Sequence, residues 1–135
     1  MNKLLLPIDG SSRSLRTINM VKHTFAPDQV EVVLLMVLPS PLSTEAQLGL
    51  ARTDADAQRE LDSFAAMLPG FRVTTALRTG TPGPEIVTYA REEGLDTLCM
   101  TRATRGFLEK MGSVATYIVK HADFLDLFIL GEDGD

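Results

Sequence analysis

Thr97-Leu98-Cys99-Met100-Thr101-Arg102-Ala103-Thr104, followed eight positions later by Gly112-Ser113, is the stretch whose reading decides the fold. A short apolar run ends at Thr101-Arg102-Ala103-Thr104, and a seven-residue connection, residues 105–111, leads to Gly112-Ser113. Residues 114–121 have helical spacing, and a second apolar run follows, Phe124-Leu125-Asp126-Leu127-Phe128-Ile129-Leu130. Strand, small-residue loop, Gly-Ser, helix and strand are the parts of a phosphate cradle in an open α/β sheet.

The upstream sequence repeats the same alternation. Leu4-Leu5-Leu6-Pro7-Ile8 reads as a buried strand ending at Asp9-Gly10, with Ser11 and Ser12 as helix caps. Leu15, Ile18, Val21 and Phe25 recur at helical spacing until Pro27-Asp28. Residues 30–38 are almost continuously apolar and β-branched, as in a central parallel strand covered on both faces. Ser43 or Thr44 then caps a longer helix whose apolar stripe sharpens at Leu61, Phe64, Ala65 and Leu68. On this reading residues 52–59 are a solvated face or a frayed start, and Pro69-Gly70 stops the helix. Residues 71–77 form a third strand, whose partial alternation suits a sheet edge. Pro84 suits the first turn of the next helix, which turns Ile86, Tyr89 and Ala90 inward and ends at Gly94. Residues 95–100 and 124–130 complete five strands.

Strands alternating with helices through short connections give one doubly wound α/β domain, a parallel sheet with helices on both faces. Its ligand crevice lies beyond the carboxyl ends of the strands, where strand order reverses. Asp9, Leu38 and Thr101 all fall at such ends.

The whole chain bounds the function. Its 135 residues suffice for one domain that buries roughly two-thirds of its unfolded surface. Apolar residues are 44% and charged residues 23%, ordinary for a globular protein. A net charge of −5 argues against nucleic-acid binding. The single cysteine, Cys99, cannot form an internal disulfide, which suits a reducing compartment. The apolar run before Asp9 is too short for a signal peptide, and no stretch reaches the ~20 apolar residues of a membrane span. Residues 1–131 are the domain, and 132–135 an acidic, solvated tail.

Each candidate site has a plainer reading beside it. Asp9 at a strand end accepts hydrogen bonds from a ribose or purine, or it caps the helix that begins near Ser11. Gly112-Ser113 is an anion site made of helix amides and a hydroxyl, or Ser113 is a helix cap. Arg102, Arg105 and Lys110 attract a phosphate, or form an ordinary solvated surface, which is the simpler of the two. Gly80-Thr81-Pro82-Gly83-Pro84 lacks the three-glycine fingerprint and the phosphate-loop lysine, and reads better as a tight turn before a helix. Catalysis is not expected: there is no Gly-x-Ser-x-Gly elbow, and neither His23 nor His121 has an evident nucleophilic partner. Cys99 sits in an apolar strand, and two distant histidines make no metal site. A flavin carrier shares this type of fold, but no tryptophan and few aromatics are present to stack the ring. The last apolar run, at a sheet edge, either pairs with its symmetry mate in a homodimer or faces the core with Asp126 guarding the edge.

In this order and spacing, the chain resembles the universal stress protein family over essentially its full length. The resemblance rests on residues 4–11 (LLLPIDGS), Gly80-Thr81-Pro82, residues 89–96 (YAREEGLD), Gly112-Ser113-Val114 and Val119-Lys120-His121-Ala122. It implies a flavodoxin-like, Rossmann-like domain with a five-stranded parallel sheet of order 3-2-1-4-5, a homodimer, and a cytoplasmic role in stress endurance. By matching position it sets Pro7, Asp9 and Val37 beside an adenosine, and Gly112, Ser113 and Val114 beside phosphates. ATP-binding members carry Gly, two residues, Gly, nine residues, then Gly with Ser or Thr. Here Thr101 and Thr104 stand at the first two glycines and only seven residues precede Gly112. Threonine resists positive φ and fills the space a phosphate would use, and the shorter loop loses up to ~7 Å of reach. The spacing resembles the UspA-like branch, whose members generally do not bind ATP. The expectation is a stress-response binding or signalling module without catalysis or tight ATP binding, with an ATP-binding sensor as the alternative.

Overall fold

The computed structural model describes residues 2–50, 52–103 and 112–132. The elements run β1 (Asn2–Pro7), α1 (Ser12–Thr24), β2 (Val30–Leu38), α2 (Thr44–Gln47), α3 (Asp54–Ala65), β3 (Arg72–Thr79), α4 (Pro82–Glu92), β4 (Thr97–Thr101), α5 (Ser113–His121) and β5 (Asp126–Leu130). The five strands form one parallel sheet in the order β3-β2-β1-β4-β5, with β3 and β5 at its edges. Chain order reverses at β1, which lies between β2 and β4.

The period of two along each strand divides the core into two layers. Leu4, Leu6, Val32, Leu34 and Met36 point to one face, against Ile18 and Val21 of α1 and Leu61 of α3. Leu5, Val33 and Leu35 point to the other, against Ile86 and Ala90 of α4 and Ile118 of α5. Cys99 is fully buried in the first layer. Burial pushes its thiol up to about 12, so it is an inert core residue.

One helix differs from the sequence reading. The long helix expected from Ser43 or Thr44 is two elements, because Gly49 adopts φ +72° and ends α2 after one turn. The chain restarts at Thr53, whose hydroxyl accepts from the Asp56 amide. Residues 54–59, read as a solvated face or frayed start, are the amino-terminal turns of α3, and Ala57 there is buried. The helix after β3 opens at Pro82. Gly83 lets α4 approach α5 closely: a Cβ at this position would lie 2.9 Å from Tyr117 Cγ.

Candidate functional site

A cleft opens where β1 and β4 diverge, at their carboxyl ends, as the topology requires. Its apolar floor includes Pro7, Ile8, Leu35, Val37, Ile86 and Met100. Its polar rim is Asp9, Arg13, Ser14, Thr17, Thr101 and Ser113. The cleft is open to solvent on one side and holds about 200 Å³. Pro7, Asp9, Val37, Thr101, Gly112, Ser113 and Val114 all line it. Thr104, Arg105 and Lys110 lie outside the described residues.

Asp9 serves the start of α1. Its Oδ1 accepts from the Ser11 amide at 3.0 Å, the Ser11 hydroxyl at 2.5 Å and the Ser14 hydroxyl at 3.1 Å. Its Oδ2 accepts from Arg13 Nη2 at 3.0 Å. Ser11 is the N-cap, accepting from the Arg13 amide. The carboxylate thus acts in the helix-start arrangement while still facing the cleft, with about half its side chain exposed.

Burial alone would raise the Asp9 carboxyl. Hydrogen bonds from the Ser11 hydroxyl and amide and from Arg13, with the charge of Arg13, outweigh that and hold it below the usual aspartate value. A folded carboxyl below its unfolded value stabilises the fold above the unfolded value, and this contribution is lost as pH falls through the folded value. Asp9→Asn is therefore expected to lower the urea midpoint at neutral pH and to converge with the wild type in strong acid. A gap of the same size at both pH values would contradict this role.

Gly10 follows at φ +80°, and a Cβ there would run into the Arg52 guanidinium. Arg52 Nη2 donates to the Asp9 carbonyl at 3.2 Å, and Nη1 pairs with Glu60 at 3.0 Å. Together these contacts tie the Asp9 turn to α3.

On the far wall, Thr101 is the last residue of β4. Among the described residues only glycines have positive φ, so Thr101 stands there without the strain expected at a glycine position. The effect of threonine here is to occupy space. Its hydroxyl is 2.9 Å from the Thr17 hydroxyl, and Thr17 donates to the Arg13 carbonyl at 3.2 Å. Both threonines are buried. The N-cap of α5 is Gly112, not Ser113, and glycine has no side chain to accept from the first-turn amides. The helix start therefore faces the cleft with the partial positive charge of its dipole. Gly112 also lies against Ala103, close to where the loop leaves β4.

Arg13, Thr17, Ile86 and Met100 line the cleft and were not anticipated from the sequence. The signal for Arg13 was present: it lies four residues after Asp9, across the helix start. Among the described residues no group of three or more His, Cys, Asp or Glu is placed to hold a metal ion. Among them also, no helix is long and apolar enough to cross a membrane.

Residues 1–125 match the profile of the Universal stress protein family. The chain belongs to that family. A universal stress protein of Methanocaldococcus jannaschii is 28% identical over 130 residues, spanning 89% of this chain and 76% of that protein. Among solved structures, this universal stress protein superposes on the hypothetical protein MJ0577 with a TM-score of 0.80 at 23% identity, covering 99% of this chain and 98% of the other. It superposes on an Arabidopsis thaliana universal stress family protein, solved with AMP bound, with a TM-score of 0.68 at 17% identity, covering 100% and 94%. These likenesses agree with the parallel sheet of order 3-2-1-4-5 that the family resemblance implied.

Proposed function

We propose that this universal stress protein is a cytoplasmic stress-response binding and signalling module without catalytic activity, whose cleft takes a small adenine nucleotide loosely and does not hold ATP tightly. The observation that carries this reading is convergence. Seven residues from β1 and the turn after it, β2, β4, and α5 with its N-cap meet in one cleft at the switch point, with an apolar floor for a base and the α5 amino end for a phosphate. A neighbour of the same fold holds AMP, which supports an adenine ligand. Against a triphosphate stand the buried Thr101 side chain on the wall and the shortened loop.

Titration calorimetry tests the reading. AMP is expected to bind with a dissociation constant on the order of 0.1 mM, about 5.5 kcal/mol, with ATP no tighter. Thr101→Gly combined with Thr104→Gly leaves ATP weak, because the loop keeps its length. Micromolar ATP affinity in either protein overturns the proposal. Adenine nucleotide carried through purification would favour the sensor alternative, to which the uncapped start of α5 lends support.

The last strand is the proposed dimer contact, in the run from Phe124 through Leu130. β5 is a sheet edge, and Phe128 on it is 44% exposed. The wild type is expected to sediment as a dimer and Phe128→Lys as a monomer. A wild-type monomer at high concentration would remove this contact from the account.

A further inference from the structure

Arg13 and Arg16 are three residues apart on α1 and share a face. Both reach the residues that follow β5. Arg16 Nε donates to the Gly131 carbonyl at 2.5 Å, and the Arg102 amide donates to the Leu130 carbonyl at 2.9 Å. These bonds fix the main chain as it leaves the sheet, and the next side chain, Glu132, lies with Oε2 3.9 Å from Arg13 Nη1. The other terminal nitrogen of Arg13 holds Asp9 at 3.0 Å. Arg13, which lines the cleft beside Asp9, therefore faces two carboxylates.

The two contacts are unequal. The Asp9 pair is a charge-assisted hydrogen bond, whereas 3.9 Å is beyond hydrogen-bond range. An arriving anion displaces the longer contact first. Phosphate suits a guanidinium, whose flat fork of donors matches its oxygens. Arg13 lines the same cleft as Gly112 and Ser113, and the start of α5 offers amides of the kind that also suit a phosphate.

We propose that Arg13 is the side chain through which the cleft contacts its ligand's phosphate, and that Glu132 is an internal competitor for that guanidinium. This rests on the reading that the cleft takes an adenine nucleotide. The acidic residue after the last strand then acts as a built-in brake on anionic ligands and leaves uncharged ones unaffected.

Calorimetry with AMP and adenosine, on the wild type and on Glu132→Gln, tests the competition. Both carboxylate and guanidinium are partly exposed, so the effect is moderate. AMP should bind Glu132→Gln about fivefold tighter, while adenosine changes by less than about twofold. Arg13→Gln should weaken AMP but not adenosine, and adding Glu132→Gln to it should change nothing more. Equal gains for both ligands, or no gain for AMP, overturn the inference. If neither ligand binds any variant, the nucleotide reading itself fails. Inorganic phosphate then decides the competition. It must raise the melting temperature of Glu132→Gln more than that of the wild type, and not raise that of Arg13→Gln; equal rises overturn it.

Discussion

Leu35→Ala is expected to lower the unfolding free energy by about 2–5 kcal/mol. Leu35 is fully buried and sits in the middle of the sheet, opposite Pro7 of β1 and Ala76 of β3. Its side chain packs in the layer under α4 and α5, where it also forms part of the cleft floor. The β-sheet hydrogen bonds around it, including the 2.8 Å bond from the Ile8 amide to its carbonyl, hold the backbone and limit collapse into the gap. The loss therefore includes both the burial of the removed carbons and an unrelaxed cavity. Against a total stability of ~5–15 kcal/mol this is a large fraction. Urea unfolding should show a lower midpoint at unchanged slope. A loss below about 1 kcal/mol would mean that the layer repacks freely.

Gly112→Asp is expected to separate stability from binding. Gly112 is the N-cap of α5 at φ −68° and ψ 168°, a conformation aspartate adopts readily. Its carboxylate would accept from the first-turn amides and carry a negative charge at the positive end of the helix dipole. It would thereby satisfy the donors offered to a phosphate and repel the ligand. The added Cβ would lie 3.1 Å from Ala103, so that residue has to shift by a few tenths of an ångström. The expected result is AMP affinity at least about tenfold weaker, or ~1.4 kcal/mol, with the melting temperature kept or slightly raised. Unchanged AMP affinity would show that α5 is not the phosphate subsite.

The central strands were legible because burial on both faces leaves a signal within each segment: Leu4-Leu5-Leu6 and residues 30–38 are apolar at nearly every position, and both lie inside the sheet. The turn at Gly94, with φ +64°, was legible for a similarly local reason. The break between α2 and α3 was missed because Gly49 is one small residue in a helix-compatible stretch, and the apolar stripe past Leu61 suggested continuity. At the cleft, Asp9 and Gly112 could be found from motif spacing. Thr101 was identified, but its partner Thr17 was not, because the hydroxyl contact joins β4 to α1 across the fold. Arg13 and Glu132 were missed for the same reason: each reads as an ordinary surface charge until the sheet brings β5 beside α1.

Backbone amide shifts during titration with AMP test the central claim most directly. The largest changes are expected on Asp9, Val37, Gly112, Ser113 and Val114, with progressive shifts that indicate fast exchange and a weak complex. Changes concentrated instead around Glu31, Arg72 and Glu93, which line a groove elsewhere on the molecule, would contradict it.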